Sequence, residues 1–259
     1  MTSEPTLTIV GTATSQGVPV LGCDCPVCTS GDPRDQRLRA SVLLRNGTET
    51  LAVDAGPDFR TQLLRERVHS LAGLILTHEH NDHTAGLDDV RPYCFRQKID
   101  MPVYCLPRVA EELRSRFAYA FSDYPGVPRL DIREVGFGEE INFNGRAVTL
   151  LEVLHGKLPI LGLRIGDLAY LTDAKTLPER TLRQLRGVKT VIISALHHQG
   201  THSHLSLEEA LEYVERIGAE RGVITHLSHR MGTAAAVEAM LPDKVRCGFD
   251  GMRIIIGRS

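Results

Sequence analysis

Residues 74–83 of the chain read LILTHEHNDH, a short apolar run that ends abruptly in three histidines and an aspartate. Leu74 to Leu76 have the character of a buried strand, and His78 and His80, two positions apart on an extended chain, point to the same side. These two imidazoles can therefore bind one ion together. Four ligand-type residues within six positions at a strand end are typical of a metal site.

Asp82 and His83 follow, at the start of a helix predicted over residues 84–93, and present a carboxylate and an imidazole in a different direction. That arrangement suits a second ion. Imidazole and carboxylate ligands fit Zn²⁺, Mn²⁺ or Fe²⁺. Two such ions about 3.5–4 Å apart can hold the attacking and leaving oxygens of a displacement at phosphorus or at a carbonyl carbon. The stretch therefore predicts a dinuclear hydrolytic site.

Three of the six cysteines, Cys23, Cys25 and Cys28, fall within six residues, whereas the others are scattered. Thiolates this close on a loop rarely have the geometry to bridge one another, but CxCxxC wraps naturally around a tetrahedral Zn²⁺ that needs one further ligand. A redox-active or incidental cluster is the alternative. We predict a structural zinc loop at about residues 21–30.

Composition limits the classes of function. The chain has 259 residues, 42% of them hydrophobic, and a formal net charge of −2. This length favours a single domain over residues 1–259. The charge provides no basic surface for a phosphate backbone, so nucleic acid is not an expected partner. No apolar run reaches the ~18–20 residues of a membrane span, and the N-terminus lacks the features of a signal peptide. We expect a cytoplasmic protein with no membrane partner, and a homodimer stays open as an alternative to a monomer.

Apolar runs alternate with helical periodicities along the chain, which predicts an α/β fold. Three of the predicted strands lead directly into a further ligand-type residue, namely His155, Asp173 and His226. Ligands at strand ends lie along one edge of a sheet or sandwich, so residues distant in sequence can converge there. A single histidine at a strand end more often has a packing role. Together with the four side chains of the first motif, however, these three complete a set of seven donors.

With HxHxDH after a strand, a later histidine, an aspartate in a Leu-Thr-Asp context and a late histidine, the chain resembles the metallo-β-lactamase superfamily over nearly its whole length. The resemblance implies a four-layer αββα sandwich of two similar halves, with the dinuclear site in a cleft at one edge. It also implies that Asp54 orients a ligand histidine. By this resemblance the first metal is bound by His78, His80 and His155, the second by Asp82, His83 and His226, and both by a bridging Asp173.

Three further segments resemble the cyclic-phosphate phosphodiesterases of the PhnP type: QGVP with the cysteine loop (residues 16–28), ITHLSH (residues 224–229) and GFDGM (residues 248–252). In that group a structural Zn²⁺ is bound by three loop cysteines and by a histidine three residues after the last catalytic ligand. The matching residues here are Cys23, Cys25, Cys28 and His229.

The general acid of that group is a histidine just before a helix. His204 matches this position best, and His202 is a competing candidate. The preceding loop, residues 196–200, departs from the group by being shorter, which leaves the exact substrate open.

The resemblance implies metal-dependent hydrolysis of a small phosphodiester, of the cyclic-phosphate class. We expect two divalent catalytic ions, Mn²⁺ or Zn²⁺, and one structural Zn²⁺. A hydroxide formed at the ions, which Asp82 helps to bind, would attack phosphorus, and His204 would protonate the leaving alkoxide. The alternatives are a tRNA-processing-type endonuclease of the same fold, for which no tRNA-gripping arm is evident, and a non-catalytic relative of the cofactor-biosynthesis type, against which the intact HxHxDH argues.

Overall fold

A computed structural model describes residues 4–257 as two seven-stranded sheets packed face to face, with helices on the outside. The predicted four-layer αββα sandwich is confirmed. The strands are β1 (Thr6–Gly11), β2 (Ser41–Asn46), β3 (Glu49–Val53), β4 (Gly73–Ile75), β5 (Met101–Cys105), β6 (Leu130–Glu134), β7 (Glu140–Phe143), β8 (Arg146–His155), β9 (Leu158–Ile165), β10 (Leu168–Leu171), β11 (Thr190–Ser194), β12 (Arg221–Thr225), β13 (Val245–Cys247) and β14 (Arg253–Ile255).

The helices lie between these strands in sequence. The α-helices are α1 (Phe59–Arg65), α2 (Asn81–Thr84), α3 (Arg91–Gln97), α4 (Pro107–Arg116), α5 (Glu179–Gln184), α6 (Leu207–Ile217) and α7 (Ala234–Met240). Four 3₁₀ turns accompany them: Pro33–Asp35, Leu87–Val90, Ala118–Phe121 and His229–Met231. Across residues 4–257, no helix combines the length and the apolar character that crossing a bilayer requires.

The two sheets have the same internal plan. The first has the strand order β14-β1-β2-β3-β4-β5-β6, and the second has the order β13-β12-β11-β10-β9-β8-β7. Pairing is antiparallel from β14 to β3 and parallel from β3 to β6. It is likewise antiparallel from β7 to β10 and parallel from β10 to β13. The chain is therefore built from two similar halves, as the resemblance implied.

This topology brings the ends of several strands to one edge of the sandwich. Strands β3 and β4 run parallel in the first sheet. In the second sheet β8 and β10 both pair antiparallel with β9, so they run in the same direction, and β12 runs parallel with them through β11. The carboxyl ends of these strands carry the metal motif and its later partners, so the sheet register itself assembles the site.

The inner parallel strands β4, β10 and β11 are buried on both faces, which explains their continuous apolar runs in the sequence. On β11, Ile192 packs between the two sheets, whereas Val191 and Ile193 pack against the outer helices. Helix α6 begins with the predicted capping box, in which the Ser206 hydroxyl accepts from the Glu209 amide and the Glu209 carboxylate accepts from the Ser206 amide.

Two sequence-based predictions of secondary structure were wrong in detail. The helix predicted over residues 84–93 is divided into α2, a 3₁₀ turn and α3. Gly86 lies in the break, against the Gly56 carbonyl, and Pro92 sits in the first turn of α3. The short strands β6, β7 and β13 were not predicted, because partly exposed strands of three to five residues have no long apolar run.

The contact between Gly56 and Gly86 provides a test of packing beside the site. A Cβ on Gly86 would lie 2.0 Å from the Gly56 carbonyl oxygen, so Gly86→Ala must separate the two loops. We expect the free energy of unfolding, measured with urea, to fall by about 1–3 kcal/mol, the usual cost of overpacking. Gly31→Ala is the matched control, since nothing lies within 4 Å of its added Cβ. Equal stability of the two variants would contradict this prediction.

Candidate active site

The structure brings together the three histidines expected around a first metal, here called the first trio (His78, His80 and His155). Nε2 of His78 lies 3.0 Å from Nδ1 of His80. The ring of His155 faces both, with centroid distances of 5.6 Å to His78 and 5.3 Å to His80. One donor atom from each ring lies within 4.8 Å of the others, so the three could hold one ion.

The residues expected around a second metal form the second trio (Asp82, His83 and His226). Nε2 of His83 lies 3.3 Å from Oδ2 of Asp82. His226 joins them with a donor atom within 4.8 Å of both, although it follows β12 in the other sheet. This trio could hold a second ion.

Asp173 lies between the two trios and is only 1% exposed. Its Oδ2 is 2.7 Å from Nε2 of His83 and 3.7 Å from Nε2 of His78. Its Oδ1 is 2.7 Å from Nε2 of His226. One carboxylate thus touches both trios, which is the placement that a ligand bridging two ions needs.

The donor atoms fit metal ions better than they fit one another. The two 2.7 Å contacts of Asp173 have the length of hydrogen bonds but not the angles, and both Nε2 of His83 and Oδ1 of Asp173 are buried without a hydrogen-bond partner. Buried polar atoms are nearly always hydrogen-bonded. Imidazole and carboxylate atoms that converge on shared points without bonding each other are a donor set for divalent ions.

The buried carboxylates and imidazoles of the cluster shift one another's pKa values. Burial alone raises the pKa of Asp173, but the neighbouring His226 and His83 outweigh burial and hold that pKa well below its ordinary value. Burial alone lowers the pKa of His83, but the carboxylates of Asp54 and Asp173 raise it well above its ordinary value. The buried carboxylates therefore demand positive charge at this point, which a divalent cation can supply.

Outer contacts fix the orientation of the rings. Oδ2 of Asp54 lies 2.7 Å from Nδ1 of His83, which leaves Nε2 free to bind a metal. Thr77 donates to Asp54 from both its backbone amide and its hydroxyl. Nδ1 of His155 lies 2.8 Å from the Ser203 carbonyl oxygen. Asp54 has the place that the resemblance implied, whereas Thr77 and Ser203 were not predicted, because only their positions beside the motifs distinguish them in the sequence.

The backbone is strained at three residues of the site. Asp54, Asp173 and His226 have φ angles of 65°, 50° and 58°, in the left-handed region that side chains other than glycine rarely adopt. Each such residue costs on the order of 1–3 kcal/mol and persists where the surrounding structure imposes it. All three follow the ends of strands, so the left-handed turn directs the side chain into the space between the sheets' ends.

Of the two histidines considered as general acid, only His204 reaches this cluster. Its Nδ1 lies 3.6 Å from Oδ1 of Asp173, and its ring stacks on that of His226 at a centroid distance of 5.1 Å. Burial, reinforced by His226, lowers the pKa of His204 to about 3. His202 is exposed and belongs to none of the metal-type clusters formed by residues 4–257.

The cysteine cluster consists of Cys23, Cys25, Cys28 and His229. Its histidine follows His226 by three residues in sequence. The three Sγ atoms lie 3.3, 3.5 and 3.6 Å from Nδ1 of His229. Sulfur and nitrogen ligands of a tetrahedral Zn²⁺ lie about 3.5 Å apart, given Zn–S of about 2.3 Å and Zn–N of about 2.0 Å. A hydrogen bond from the Cys28 amide lowers the pKa of Cys25 to about 6, whereas burial raises the pKa of Cys28 to about 11. The cluster could hold one zinc ion.

Known structures resemble this one closely. A crystal structure described as a new diphosphatase from the PhnP family superposes with a TM-score of 0.91 at 34% sequence identity, covering 98% of both chains. Zinc-bound PqqB from Methylobacterium extorquens superposes with a TM-score of 0.77 over 96% of this chain and 99% of that chain. Its 20% identity shows a shared fold alone.

Sequence relatives extend the comparison. Ribonuclease Z from Mycobacterium sp. (strain KMS) is 26% identical over 81% of this chain and 83% of its own length. An octanoyltransferase from Porphyromonas gingivalis is 36% identical over 96% of this chain but 51% of its own length, so the chain spans about half of that relative. A family model described as a beta-lactamase superfamily domain matches residues 49–227, which is more than half of the chain. With this match, a two-sheet sandwich and clustered metal-type donors at one sheet edge, the chain belongs to the metallo-β-lactamase superfamily.

Proposed function

We propose that this protein is a metal-dependent phosphodiesterase that hydrolyses a small phosphodiester of the cyclic-phosphate class. The reaction would use two divalent ions, Mn²⁺ or Zn²⁺. The observation that carries the proposal is the position of Asp173 between the trios, 2.7 Å from His83 and His226 and 3.7 Å from His78, with His204 beside it. Two ions held by these seven side chains would lower the pKa of a water molecule and stabilise the charge that develops at phosphorus. Asp82, Asp173 and the imidazoles supply the ligands.

His204 is the residue that we assign to protonation of the leaving alkoxide. It lies beside the bridging carboxylate and is not one of the seven ligands that the resemblance implies, although its ring nitrogen lies within 4.8 Å of donor atoms of Asp173 and His226. Its Nδ1 is buried without a hydrogen-bond partner among the described residues, so it is available to the substrate. Burial keeps the free imidazole neutral. An anionic phosphodiester bound next to the ring favours the imidazolium form, because opposite charges raise the pKa of a histidine. Protonation of the leaving alkoxide by His204 would therefore require the bound substrate to raise this pKa.

The relatives support cleavage at phosphorus more than cleavage at a carbonyl. A diphosphatase and a ribonuclease both break P–O bonds, and this chain matches each of them over more than 80% of both lengths. A diphosphate linkage is the second candidate substrate class, favoured by the 34% identity to the diphosphatase. The net charge of −2 supports a small substrate over a long RNA.

We also propose that the cysteine cluster binds a structural Zn²⁺. Four protein ligands complete a tetrahedral shell and leave no position for a substrate, which is typical of zinc sites that stabilise folding. Its sulfur to nitrogen distances of 3.3–3.6 Å support this assignment.

The first test is restoration of activity by metal. We expect chelator-treated protein to be inactive and to hydrolyse an activated aryl phosphodiester again when Mn²⁺ or Zn²⁺ is added back. The same preparation is then assayed for phosphate or monoester release from linear diesters, cyclic phosphates and diphosphates. If restored metal gives no hydrolysis of any of these compounds, the proposed function is wrong.

The second test concerns His204. His204→Ala should lower kcat by roughly 10²–10⁴-fold on a diester with a poor alkoxide leaving group, the range that general-acid catalysis contributes. An activated aryl diester should lose much less, because its leaving group departs without a proton. His202→Ala is the control and should leave both rates nearly unchanged. Equal losses on the two substrates would exclude His204 as the acid.

The third test separates the two kinds of metal site. Cys25→Ala should bind about one zinc ion fewer per chain and melt well below wild type, with activity falling only as His226 is displaced. Asp82→Ala should be nearly inactive, yet melt close to metal-free wild type. Elemental analysis and thermal melting measure both effects.

Cys94→Ala is the matched control for this third test, since it removes a buried thiol outside the cysteine cluster. It should keep the full metal content. Unchanged zinc content and melting temperature in Cys25→Ala would show that the cysteine cluster is not a zinc site.

A further inference from the structure

The three histidine rings of the first trio differ in the hydrogen-bonding contacts that orient them. The Thr77 hydroxyl lies 3.0 Å from Nδ1 of His78, and the Ser203 carbonyl accepts from His155. The ring of His80 is different, because within residues 4–257 its one hydrogen-bonding contact is with His78 itself. His80 is also exposed. The position of this ring therefore depends on the backbone that carries it.

Arg116, at the end of α4, contacts the segment that carries His80. Its Nη2 donates to the carbonyl oxygen of Glu79, and its Nη1 donates to Oδ1 of Asn81 at 2.6 Å. Glu79 and Asn81 are the two neighbours of His80 in sequence. The same Nη1 lies 3.2 Å from the Thr84 hydroxyl, which in turn donates to the His80 carbonyl at 2.9 Å. One guanidinium thus holds the chain on both sides of His80.

Helix α4 can serve as a fixed support for these contacts. Val109, Ala110 and Leu113 are buried against the first sheet, so the helix is anchored independently of the metal loop. Glu112, one turn before Arg116, lies 3.1 Å from its Nε and restrains the guanidinium. A planar guanidinium can bond several acceptors in a fixed geometry, which a single ammonium cannot do.

We propose that Arg116 is a positioning residue for the first metal site and acts through the backbone of His80. The inference rests on the proposed binding of two divalent ions. Residues that orient metal ligands from outside typically contribute 10–100-fold to metal affinity. Arg116 would orient His80 as Asp54 orients His83, with the difference that it bonds the Glu79 carbonyl and the side chains of Asn81 and Thr84 and not the histidine ring.

Metal binding tests this inference directly. Chelator-stripped full-length protein is dialysed to equilibrium against graded free Mn²⁺, and bound Mn²⁺ is counted separately from zinc, so the thiolate cluster contributes nothing to the count. We expect Arg116→Leu to weaken one of the two Mn²⁺ sites by about 10–100-fold and to leave the other close to wild type. Arg114→Leu is the matched control: Arg114 lies on the same helix, pairs with exposed Glu134 at 2.9 Å, and should bind Mn²⁺ as wild type does.

Arg116→Lys is a second variant, included in case Arg116→Leu does not fold. It keeps the charge and the helix but cannot reach all three acceptors, so it should weaken the same site by a smaller factor while the metal-free melting temperature stays near wild type. Wild-type affinity at both sites in the two Arg116 variants would overturn the inference alone. A wild-type protein that binds no Mn²⁺ would overturn the proposed metal site and this inference with it. Equal weakening of both sites with a lower melting temperature would show a general loss of folding and overturn the inference.

Discussion

The buried carboxylate of Asp173 is the constraint on which the rest of the site depends. Moving one ion from water into a protein costs several kcal/mol unless opposite charge compensates it. Here His83 and His226 each place Nε2 2.7 Å from the carboxylate, and a divalent cation bound among these atoms would supply the compensating charge. The left-handed turn at Asp173 adds a backbone cost of the order of 1–3 kcal/mol. Hydrogen bonds of the next residue hold the turn in place, since the Ala174 amide donates to Ser194 and its carbonyl accepts from Leu205.

Strands and loops contribute differently to this arrangement. Parallel strands bring the side chains to one edge, but strand register cannot fix the rotation of an imidazole about its own axis. That rotation is set by a partner on the second ring nitrogen, which also decides the tautomer. Asp54 does this for His83, and the Ser203 carbonyl does it for His155. His80 has no such partner within the described chain, and this is the difference that gives a distant arginine a role.

This difference between strand placement and side-chain orientation also explains which features could be predicted from the sequence. The clustered motifs HxHxDH and CxCxxC are visible because their ligands are neighbours, and His155, Asp173 and His226 were identified because each follows an apolar run. The αββα architecture came from the resemblance and is confirmed by the two-sheet topology. The positive φ angles, the helix break at Gly86 and the contact between Arg116 and the metal loop leave no trace in local pattern. Each depends on a contact between segments distant in sequence, and α4 alone reads as an ordinary amphipathic helix.

The short loop after β12 connects the second trio to the cysteine cluster along the chain. His226 belongs to the second trio and His229 to the cysteine cluster, with only two residues between them. Both of these residues are bonded to neighbouring segments: the Leu227 amide donates to Thr12, and the Ser228 amide donates to Leu196. A shift of His229 therefore has to break these backbone bonds before it can move His226. The cysteine cluster can therefore influence the seven donors through the position of this loop.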